Sequence, residues 1–231
     1  MISNHVASRP LLCLVTDRRR LAERVGLGDD INAILDRLVE QAADAAEAGV
    51  DWIQVREHDL DARALSALVS RIVRATRGRA KVIVNDRADV ALATGSAGVH
   101  LRERSASADR IRNVLPHGFM VGQSLHQPAA VAKAGPVDYV IFGTVFPSRS
   151  KPAATVWGTA GLAAACHSSA VPVLAIGGVT VETSAHVAAA GAAGVAAIEL
   201  FLPRSAGSRD PGLHEIVARL HESFDSARSV S

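Results

Sequence analysis

Short runs of apolar residues recur along the chain and alternate with longer stretches in which apolar positions repeat every three or four residues. The short runs are continuous rather than half polar, which is typical of parallel strands covered by helices. The longer stretches predict amphipathic helices. The predicted strands are residues 11–15, 52–55, 81–84, 97–101, 119–122, 138–142, 171–176 and 194–198. The predicted helices are residues 31–48, 62–76, 87–93, 107–115, 128–134, 159–168, 181–190 and 211–226.

This alternation of strands and helices favours an α/β fold, a single (β/α)8 TIM barrel. An open doubly wound sheet would give a similar pattern over five or six strands, so the count of eight favours closure. We expect one domain over residues 1–231, with a core of about 11–226 and flexible ends. The basic, glycine-containing segment 18–30 is predicted to be a solvated loop, although a loop of this length can also act as a lid. Asp86 is expected to cap the short helix that ends at residue 93.

The composition narrows the class of protein further. Hydrophobic residues make up 48% of the chain and aromatic residues only 3%, which suits tightly packed helix and sheet layers. The net charge of +2 and the scattered arginines argue against nucleic acid as a partner. No run reaches the roughly 18 apolar residues of a membrane helix, and the first residues lack a signal-peptide pattern, so we expect a cytoplasmic protein without a membrane partner. Cys13 and Cys166 lie in apolar contexts and are predicted to be buried thiols.

Polar residues that can bind or react follow almost every predicted strand. The active sites of barrel enzymes are built from the loops at the carboxyl ends of the strands, so these positions should converge although they span most of the sequence. A local capping role is the alternative for Asp86 and Ser148. The positions are Thr16, Asp17, Gln54, Arg56, His58, Asn85, Asp86, His100, Ser124, His126, Ser148, Ser150, Lys151, Gly177, Gly178 and Glu199.

The chemistry of this set favours an anionic ligand. Arg56 and Lys151 supply positive charge, and Asn85 and the serines supply hydrogen bonds. Arg56 could instead form an ordinary ion pair with the adjacent glutamate. Gly177 and Gly178 end the seventh strand, and a glycine pair just before a helix exposes backbone N–H groups that can bind phosphate.

Seven ordered segments resemble the family of thiamine-phosphate synthase and its relative, the thiazole tautomerase. They are residues 14–17 (LVTD), 53–57 (IQVRE), 84–87 (VNDR), 98–101 (GVHL), 122–126 (GQSLH), 142–151 (FGTVFPSRSK) and 175–179 (AIGGV). The resemblance covers roughly residues 11–200. It implies a (β/α)8 barrel, often a homodimer, that acts in thiamine biosynthesis on small phosphorylated pyrimidine and thiazole substrates.

The resemblance also implies roles for particular residues. In the synthase, hydroxymethylpyrimidine diphosphate loses diphosphate, and the nitrogen of thiazole phosphate traps the carbocation. Gln54 and Ser124 would hold the aminopyrimidine. Asp86 would bind magnesium, and His126 would take part in catalysis. The diphosphate would contact Arg56, Asn85 and Lys151, and the thiazole phosphate would lie near Ser148, Ser150, Gly177 and Gly178.

The chain departs from the synthase pattern on the diphosphate side. His58 stands where the synthase has a lysine, which removes about one positive charge at neutral pH. Ser105 stands where the synthase has an aspartate that is a second magnesium ligand. Asp86 alone could still hold the ion, because magnesium keeps waters and binds phosphate oxygens, but we expect weaker binding.

Two further departures concern the thiazole side. Glu199 replaces a serine that contacts the thiazole phosphate, and its charge would repel phosphate unless Arg104, Lys151 or another cation pairs with it. The loop after the sixth strand is less rich in glycine than usual over residues 153–157.

These departures leave two alternatives open beside the synthase. The thiazole tautomerase isomerises a thiazole carboxylate phosphate by proton transfer and needs neither diphosphate nor metal. His126 would then be the general acid and base, since imidazole is the side chain best suited to proton transfer near neutral pH. The second alternative is a non-catalytic barrel that binds phosphorylated thiazole. The synthase, a transferase, remains the main hypothesis because Gln54, Asn85 and the loop after the sixth strand keep its pattern.

Overall fold

The computed structural model describes residues 9–148, 155–203 and 212–228. Its strands are parallel and form one closed barrel, in which each strand pairs with its neighbours in sequence and the eighth pairs with the first. They are β1 (Leu11–Val15), β2 (Trp52–Val55), β3 (Lys81–Asn85), β4 (Gly98–Leu101), β5 (Met120–Leu125), β6 (Tyr139–Phe142), β7 (Val173–Ile176) and β8 (Gly194–Ala197). The closed sheet confirms the predicted (β/α)8 fold.

Helices follow the strands and cover the outside of the barrel. They are α1 (Arg18–Val25), α2 (Ile31–Ala48), α3 (Ala62–Thr76), α4 (Ala88–Ala93), α5 (Ala108–Arg112), α6 (Pro128–Val131), α7 (Gly158–Ser168), α8 (Ser184–Ala189) and α9 (Leu213–Arg228). A 3₁₀ turn, Glu199–Phe201, follows β8. The bounds of α2 and α3 agree with the prediction, whereas α4, α5, α6 and α8 are shorter than predicted.

The barrel has separate apolar layers inside and outside the sheet, because successive residues of a strand face opposite sides. Gln54 lies two residues beyond Trp52, and Asn85 lies two residues beyond Ile83, so both amides also face the interior, nearer to the carboxyl ends of the strands. The inward-facing apolar side chains are Cys13, Val15, Trp52, Ile83, Tyr139, Ile141, Leu174 and Ala196.

Two aromatic rings fill much of this interior. The ring centroids of Trp52 and Tyr139 are 4.6 Å apart, and Tyr139 is fully buried. Gly122 on β5 makes room for the tyrosine, since a Cβ at that position would lie 2.0 Å from the ring. The missing side chain at Gly122 therefore allows the Tyr139 hydroxyl to reach the polar layer above it.

The predicted loop 18–30 is wrong over its first half, which forms α1. Asp17 caps this helix by accepting a hydrogen bond from the Arg20 backbone N–H, and Gly26 ends it in a left-handed conformation with φ of 71°. The arginines that suggested a solvated loop form ion pairs instead. Arg18 forms an ion pair with Glu57 in the loop after β2, and Leu21 of the same helix is buried.

Asp86 does not cap α4, contrary to the prediction. Arg87 occupies the N-cap position of that helix and makes no side-chain capping bond. Asp86 has a left-handed φ of 62°, and its carboxylate is bound by Arg102 and Ser105 at the rim of the barrel. The Asp86 carboxylate therefore binds two side chains of the loop after β4 and not the N-terminus of α4.

Most strand boundaries differ from the prediction by one or two residues. The largest difference is in β5, which continues through Ser124 to Leu125 because its pairing with β6 extends to those residues. The last helix, described from Leu213, continues to Arg228, two residues beyond its predicted end.

Neither cysteine is in a disulfide. Cys13 is buried inside the barrel and Cys166 is half-buried on α7. Burial raises the pKa of each thiol to about 12, so both stay protonated at neutral pH. Within the described ranges, no helix is long and apolar enough to cross a membrane.

Replacing Arg18 by Ala should destabilise the fold far more than replacing Arg19 by Ala. Arg18 is 11% exposed and pairs with the buried Glu57 as well as with Asp59. Arg19 is 75% exposed, and among the described residues it pairs only with Asp59. Removing Arg18 leaves a buried carboxylate without its cation, which should cost about 3 kcal/mol of unfolding free energy. The Arg19 change should cost below about 1 kcal/mol. Urea denaturation followed by tryptophan fluorescence measures both, and equal losses would contradict this account of Glu57.

Candidate functional site

A cavity of about 690 Å³ opens at the carboxyl ends of the strands. Its walls include residues from all eight strands or the loops that follow them, together with Arg20 of α1. The strand-end positions predicted from the sequence that it brings together are Asp17, Gln54, Arg56, His58, Asn85, Ser124, His126 and Gly177. The expected convergence of these positions is therefore observed.

Other predicted site residues are not among the described residues that line the cavity. Ser150 and Lys151 fall outside the described residues. Asp86, Ser148 and Gly178 are described, but they are not among the described residues that line the cavity.

Two buried amides lie at the floor of the cavity with unused polar atoms. Gln54 Nε2 donates a hydrogen bond of 2.8 Å to Asn85 Oδ1. Within the described residues, Gln54 Oε1 and Asn85 Nδ2 have no partner although both atoms are buried. A buried polar atom without a hydrogen bond costs about 1–3 kcal/mol of stability. A ligand that donates to Gln54 Oε1 and accepts from Asn85 Nδ2 would remove this cost.

A buried relay fixes the role of Ser124. The Tyr139 hydroxyl lies 3.1 Å from His100 Nδ1, and His100 Nε2 lies 2.8 Å from Ser124 Oγ. The tyrosine has no other hydrogen-bonding partner in the described part of the chain, so its O–H donates to Nδ1. His100 Nε2–H then donates to Ser124 Oγ, and the serine hydroxyl hydrogen remains available to the cavity.

Burial keeps this relay neutral. His100 is fully buried, which lowers its pKa from 6.5 to about 3, and burial likewise raises the pKa of Tyr139. The imidazole therefore stays uncharged at neutral pH, and the donor direction does not change. The sequence predicted His100 at the site but not Tyr139. Gly122 was the available signal, because a glycine in a strand can indicate that a large side chain lies against it.

His126 lines the cavity, and a backbone carbonyl group holds one of its ring nitrogens. Its Nδ1 lies 2.5 Å from the carbonyl oxygen of Gly143, which can only accept, so Nδ1 carries the hydrogen. In the neutral ring, Nε2 is then a free acceptor, and it has no hydrogen-bonding partner among the described residues. This arrangement suits a general base.

Arg56 does not pair with the adjacent glutamate. Glu57 accepts hydrogen bonds from the Thr16 hydroxyl at 2.7 Å and from Arg18, while burial raises the pKa of its carboxyl group. The Arg56 backbone N–H donates to Thr16 Oγ1, and its half-buried side chain lines the cavity. The ion-pair alternative for Arg56 is therefore wrong, and its charge is available to a ligand.

The glycine pair after β7 is required by packing. Gly177 and Gly178 have φ of 98° and 62°, and a Cβ on them would lie 2.6 Å from Thr144 Cγ2 and 2.3 Å from the Pro147 carbonyl oxygen. The close approach of the loop after β6 thus explains both glycines without a ligand. α8 begins only at Ser184, so the pair does not lead directly into a helix. Phosphate binding here stays a prediction.

The side chains present at Asp86 do not fit a magnesium ion. Arg102 Nη2 binds Asp86 Oδ2, and Ser105 Oγ donates to Asp86 Oδ1. One carboxylate oxygen is thus engaged by a cation and the other by a hydroxyl group. A dication prefers several oxygen ligands with unpaired negative charge, and the guanidinium would repel it.

Glu199 is neutralised by two arginines of α1. Arg20 binds Glu199 Oε1, and Arg24 Nη2 lies 3.0 Å from Oε2. These two arginines are the other cation that the sequence left open. Arg104 makes no described ion pair with Glu199, and Lys151 lies outside the described residues. The two arginines of α1 were missed because their segment was interpreted as a loop, although the capping aspartate and the glycine that ends α1 were visible signals.

Positive charge dominates the cavity wall. Four arginines line it, against two carboxylate side chains, and His58 also lies in the wall. Partial desolvation, followed by the charges of Arg56 and Arg102, lowers the pKa of His58. The imidazole is therefore neutral at physiological pH, and the positive charge comes from guanidinium groups. The arginines are Arg20, Arg56, Arg102 and Arg104.

The protein is a closed (β/α)8 barrel with an arginine-lined cavity at the carboxyl ends of its strands. This is the arrangement of barrel enzymes, and its charge favours an anionic ligand. Residues 12–201 match the family model described as thiamine monophosphate synthase. The chain belongs to the thiamine monophosphate synthase family.

Individual relatives agree with this assignment. The chain is 38% identical to thiamine-phosphate synthase of Anaeromyxobacter dehalogenans over 83% of its length and 85% of the relative, and 35% identical to that of Roseiflexus castenholzii over 89% and 85%. A solved thiamine phosphate pyrophosphorylase from Pyrococcus furiosus superposes with a TM-score of 0.75 at 26% identity, covering 97% of this chain and 99% of that chain. The predicted family, and with it the synthase and its transferase class, are confirmed.

His100 should make the protein less stable as the pH falls. Its folded pKa of about 3 lies below its ordinary value of 6.5, so the unfolded chain takes up the proton first. Stability from this group is complete above about pH 6.5 and is lost towards pH 3, with about 2 kcal/mol lost at pH 5. In urea denaturation at pH 7 and pH 5, His100→Gln should remove that loss, although His58 and His221, whose pKa values are also lowered, leave part of the slope.

The exposed His117→Gln provides the matched control and should keep the full slope. As a measurement that needs no variant, the His100 ring signals in an NMR titration should not shift between pH 7 and about pH 4. A ring that titrates near pH 6 would refute the buried relay.

Proposed function

We propose that this chain joins hydroxymethylpyrimidine diphosphate to thiazole phosphate. The bond between the methylene carbon and the diphosphate oxygen breaks, and its electron pair leaves with diphosphate. The lone pair of the thiazole nitrogen then forms the new carbon–nitrogen bond, which gives thiamine phosphate with a quaternary nitrogen. The observation that carries the proposal is the pair of unused amide atoms beside Ser124, on the floor of a cavity lined with arginines.

The polar atoms on the floor match an aminopyrimidine diphosphate in kind. Gln54 Oε1 is an acceptor for the exocyclic amino group, and the Ser124 hydroxyl is a donor for a ring nitrogen. Asn85 Nδ2 is a donor for a diphosphate oxygen. Since one hydrogen bond ties the two amides together and the relay fixes the serine, all three are oriented before the ligand binds.

The charged groups support departure of the diphosphate. Arg56 has no side-chain partner in the described residues, so it can bind the leaving group as negative charge develops. Lys151 is proposed to act with it, on the resemblance alone. Apolar side chains of Val15, Ile141 and Ile176 also line the cavity and would limit the access of water to the carbocation.

The remaining assignments are proposals from the resemblance. Ser148, Ser150, Gly177 and Gly178 would surround the thiazole phosphate. No step is assigned to magnesium, because the side chains around Asp86 do not fit that ion. A homodimer and a cytoplasmic location are also proposed on the resemblance and on the sequence.

One observation favours thiazole tautomerase as a second candidate. The free Nε2 of His126 lies at the cavity, oriented by the hydrogen bond from Nδ1 to Gly143. A tautomerase needs a base that removes a proton from one carbon and returns it to another atom, and this imidazole can do so. The arginines of the wall would hold the carboxylate and phosphate of such a substrate.

Product analysis separates the two activities. Purified protein should form thiamine phosphate from hydroxymethylpyrimidine diphosphate and thiazole phosphate, and His126→Asn should reduce that synthesis only modestly. The same variant should abolish any conversion of the thiazole carboxylate tautomer. Tautomer conversion without thiamine phosphate would refute the synthase proposal. Binding of thiazole phosphate without either reaction would favour a non-catalytic barrel.

Arg56→Gln should lower the turnover of the synthesis by about a hundredfold, the cost of one charge that stabilises the transition state. Its unfolding midpoint should stay near that of the wild type, since the side chain has no partner in the described fold. Arg63→Gln on α3 removes the same charge from an exposed helix position and should leave turnover unchanged. Equal turnover in both variants would remove Arg56 from the site.

A further inference from the structure

The loop after β4 places a guanidinium group where the family pattern leads one to expect a metal ion. Arg102 follows β4, Asp86 follows β3, and their side chains form an ion pair at the rim of the cavity. We propose that Arg102, held by Asp86 and Ser105, is the cation that binds the diphosphate group, so that this chain binds diphosphate without a divalent metal ion. The inference rests on the proposed function for the identity of the ligand.

The arginine is held at two points. Its guanidinium binds Asp86, and its backbone N–H donates a hydrogen bond of 3.0 Å to Ser105 Oγ. The same hydroxyl donates to Asp86 Oδ1, and the Ser105 backbone N–H donates to the Arg102 carbonyl oxygen at 3.0 Å. Ser105 therefore joins the arginine backbone to the carboxylate. An aspartate at this position could not donate to Asp86 and would add a second negative charge.

The guanidinium remains available to a ligand. Arg102 lines the cavity and its side chain is 62% exposed, while Asp86 is 18% exposed. Only Nη2 is engaged by a described residue, so the other N–H groups of the planar fork can bind phosphate oxygens in pairs. Arg56 lines the same cavity, so two guanidinium groups can contact one diphosphate.

Charge balance argues against a metal ion at this position. Asp86 and Arg102 cancel each other, so the pair offers no net attraction to a dication. At position 58 a histidine stands where the family pattern has a lysine, so the lysine charge is absent beside this pair. Arg104 of the same loop also lines the cavity, but Arg102 is the cation that the carboxylate holds in place, and it supplies the charge that a metal ion would otherwise bring.

Calorimetric titration with inorganic diphosphate tests this directly. The wild type should bind diphosphate in the presence of EDTA, and added Mg²⁺ should change the dissociation constant by less than about threefold. Arg102→Gln should weaken binding in EDTA by about tenfold or more, as expected for one charge-assisted contact. Arg110→Gln is the matched control, since Arg110 is exposed on α5 and does not line the cavity, and its binding should equal that of the wild type.

A double variant tests the metal preference. Arg102→Gln with Ser105→Asp removes the guanidinium and adds a second carboxylate beside Asp86. Mg²⁺ should strengthen its diphosphate binding by at least about tenfold. With the protein alone, Mn²⁺ titration followed by electron paramagnetic resonance should show ion binding by the double variant and much weaker binding by the wild type.

Three results would overturn the inference. The first is diphosphate binding by the wild type only when Mg²⁺ is present. The second is equal binding by Arg102→Gln and the wild type in EDTA. The third is Mn²⁺ binding by the wild type as tight as by the double variant.

Failure of the proposed function would look different. If thiamine phosphate forms only with Mg²⁺, the synthase proposal stands and the role of Arg102 is refuted. If no thiamine phosphate forms in either condition while diphosphate still binds in EDTA through Arg102, the inference stands and the synthase proposal fails.

Discussion

The alternation of side chains along eight closed parallel strands determines where the rest of this protein can lie. Inward positions form layers, and the lower one is filled by Trp52 and Tyr139, with Gly122 leaving room for the tyrosine ring. The next layer is polar and lies directly beneath the cavity. Its described side chains hydrogen-bond to one another, and the layer below offers them the Tyr139 hydroxyl. For this reason a tyrosine hydroxyl on β6 can fix the hydrogen-bonding direction of a serine on β5 through His100.

Arginine side chains balance the carboxylates around the rim of the barrel. Arg18 neutralises the buried Glu57. Arg20 and Arg24 neutralise Glu199, and Arg102 neutralises Asp86. Each pair joins segments far apart in sequence, so the rim is held together by charge as well as by the sheet. Arg56 has no such partner among the described residues. The cavity therefore keeps a net positive wall, which suits a phosphorylated ligand.

The departures from the family pattern have physical compensations. Glu199 would repel phosphate, but α1 supplies the cations that neutralise it. Ser105 removes a carboxylate, and Arg102 pairs with the one that remains. His58 stays neutral, and guanidinium groups provide the charge instead. The cavity thus keeps its preference for anions while the groups that provide it have changed.

The sequence alone determined the fold class, the order of the strands and the end of the barrel at which the site lies, because these follow from local periodicity and from the geometry of βα units. It also placed Gln54, Asn85 and Ser124 at the site, since residues at strand ends have one position in a closed barrel. Only the tertiary structure decided which side chains pair. α1 appeared as a loop because its polar arginines hide the helical pattern, and their partners Glu57 and Glu199 lie on distant segments. Likewise, Asp86 follows β3 and Arg102 follows its neighbour β4. The local sequence around Asp86 could not distinguish this ion pair from a helix cap or a metal ligand.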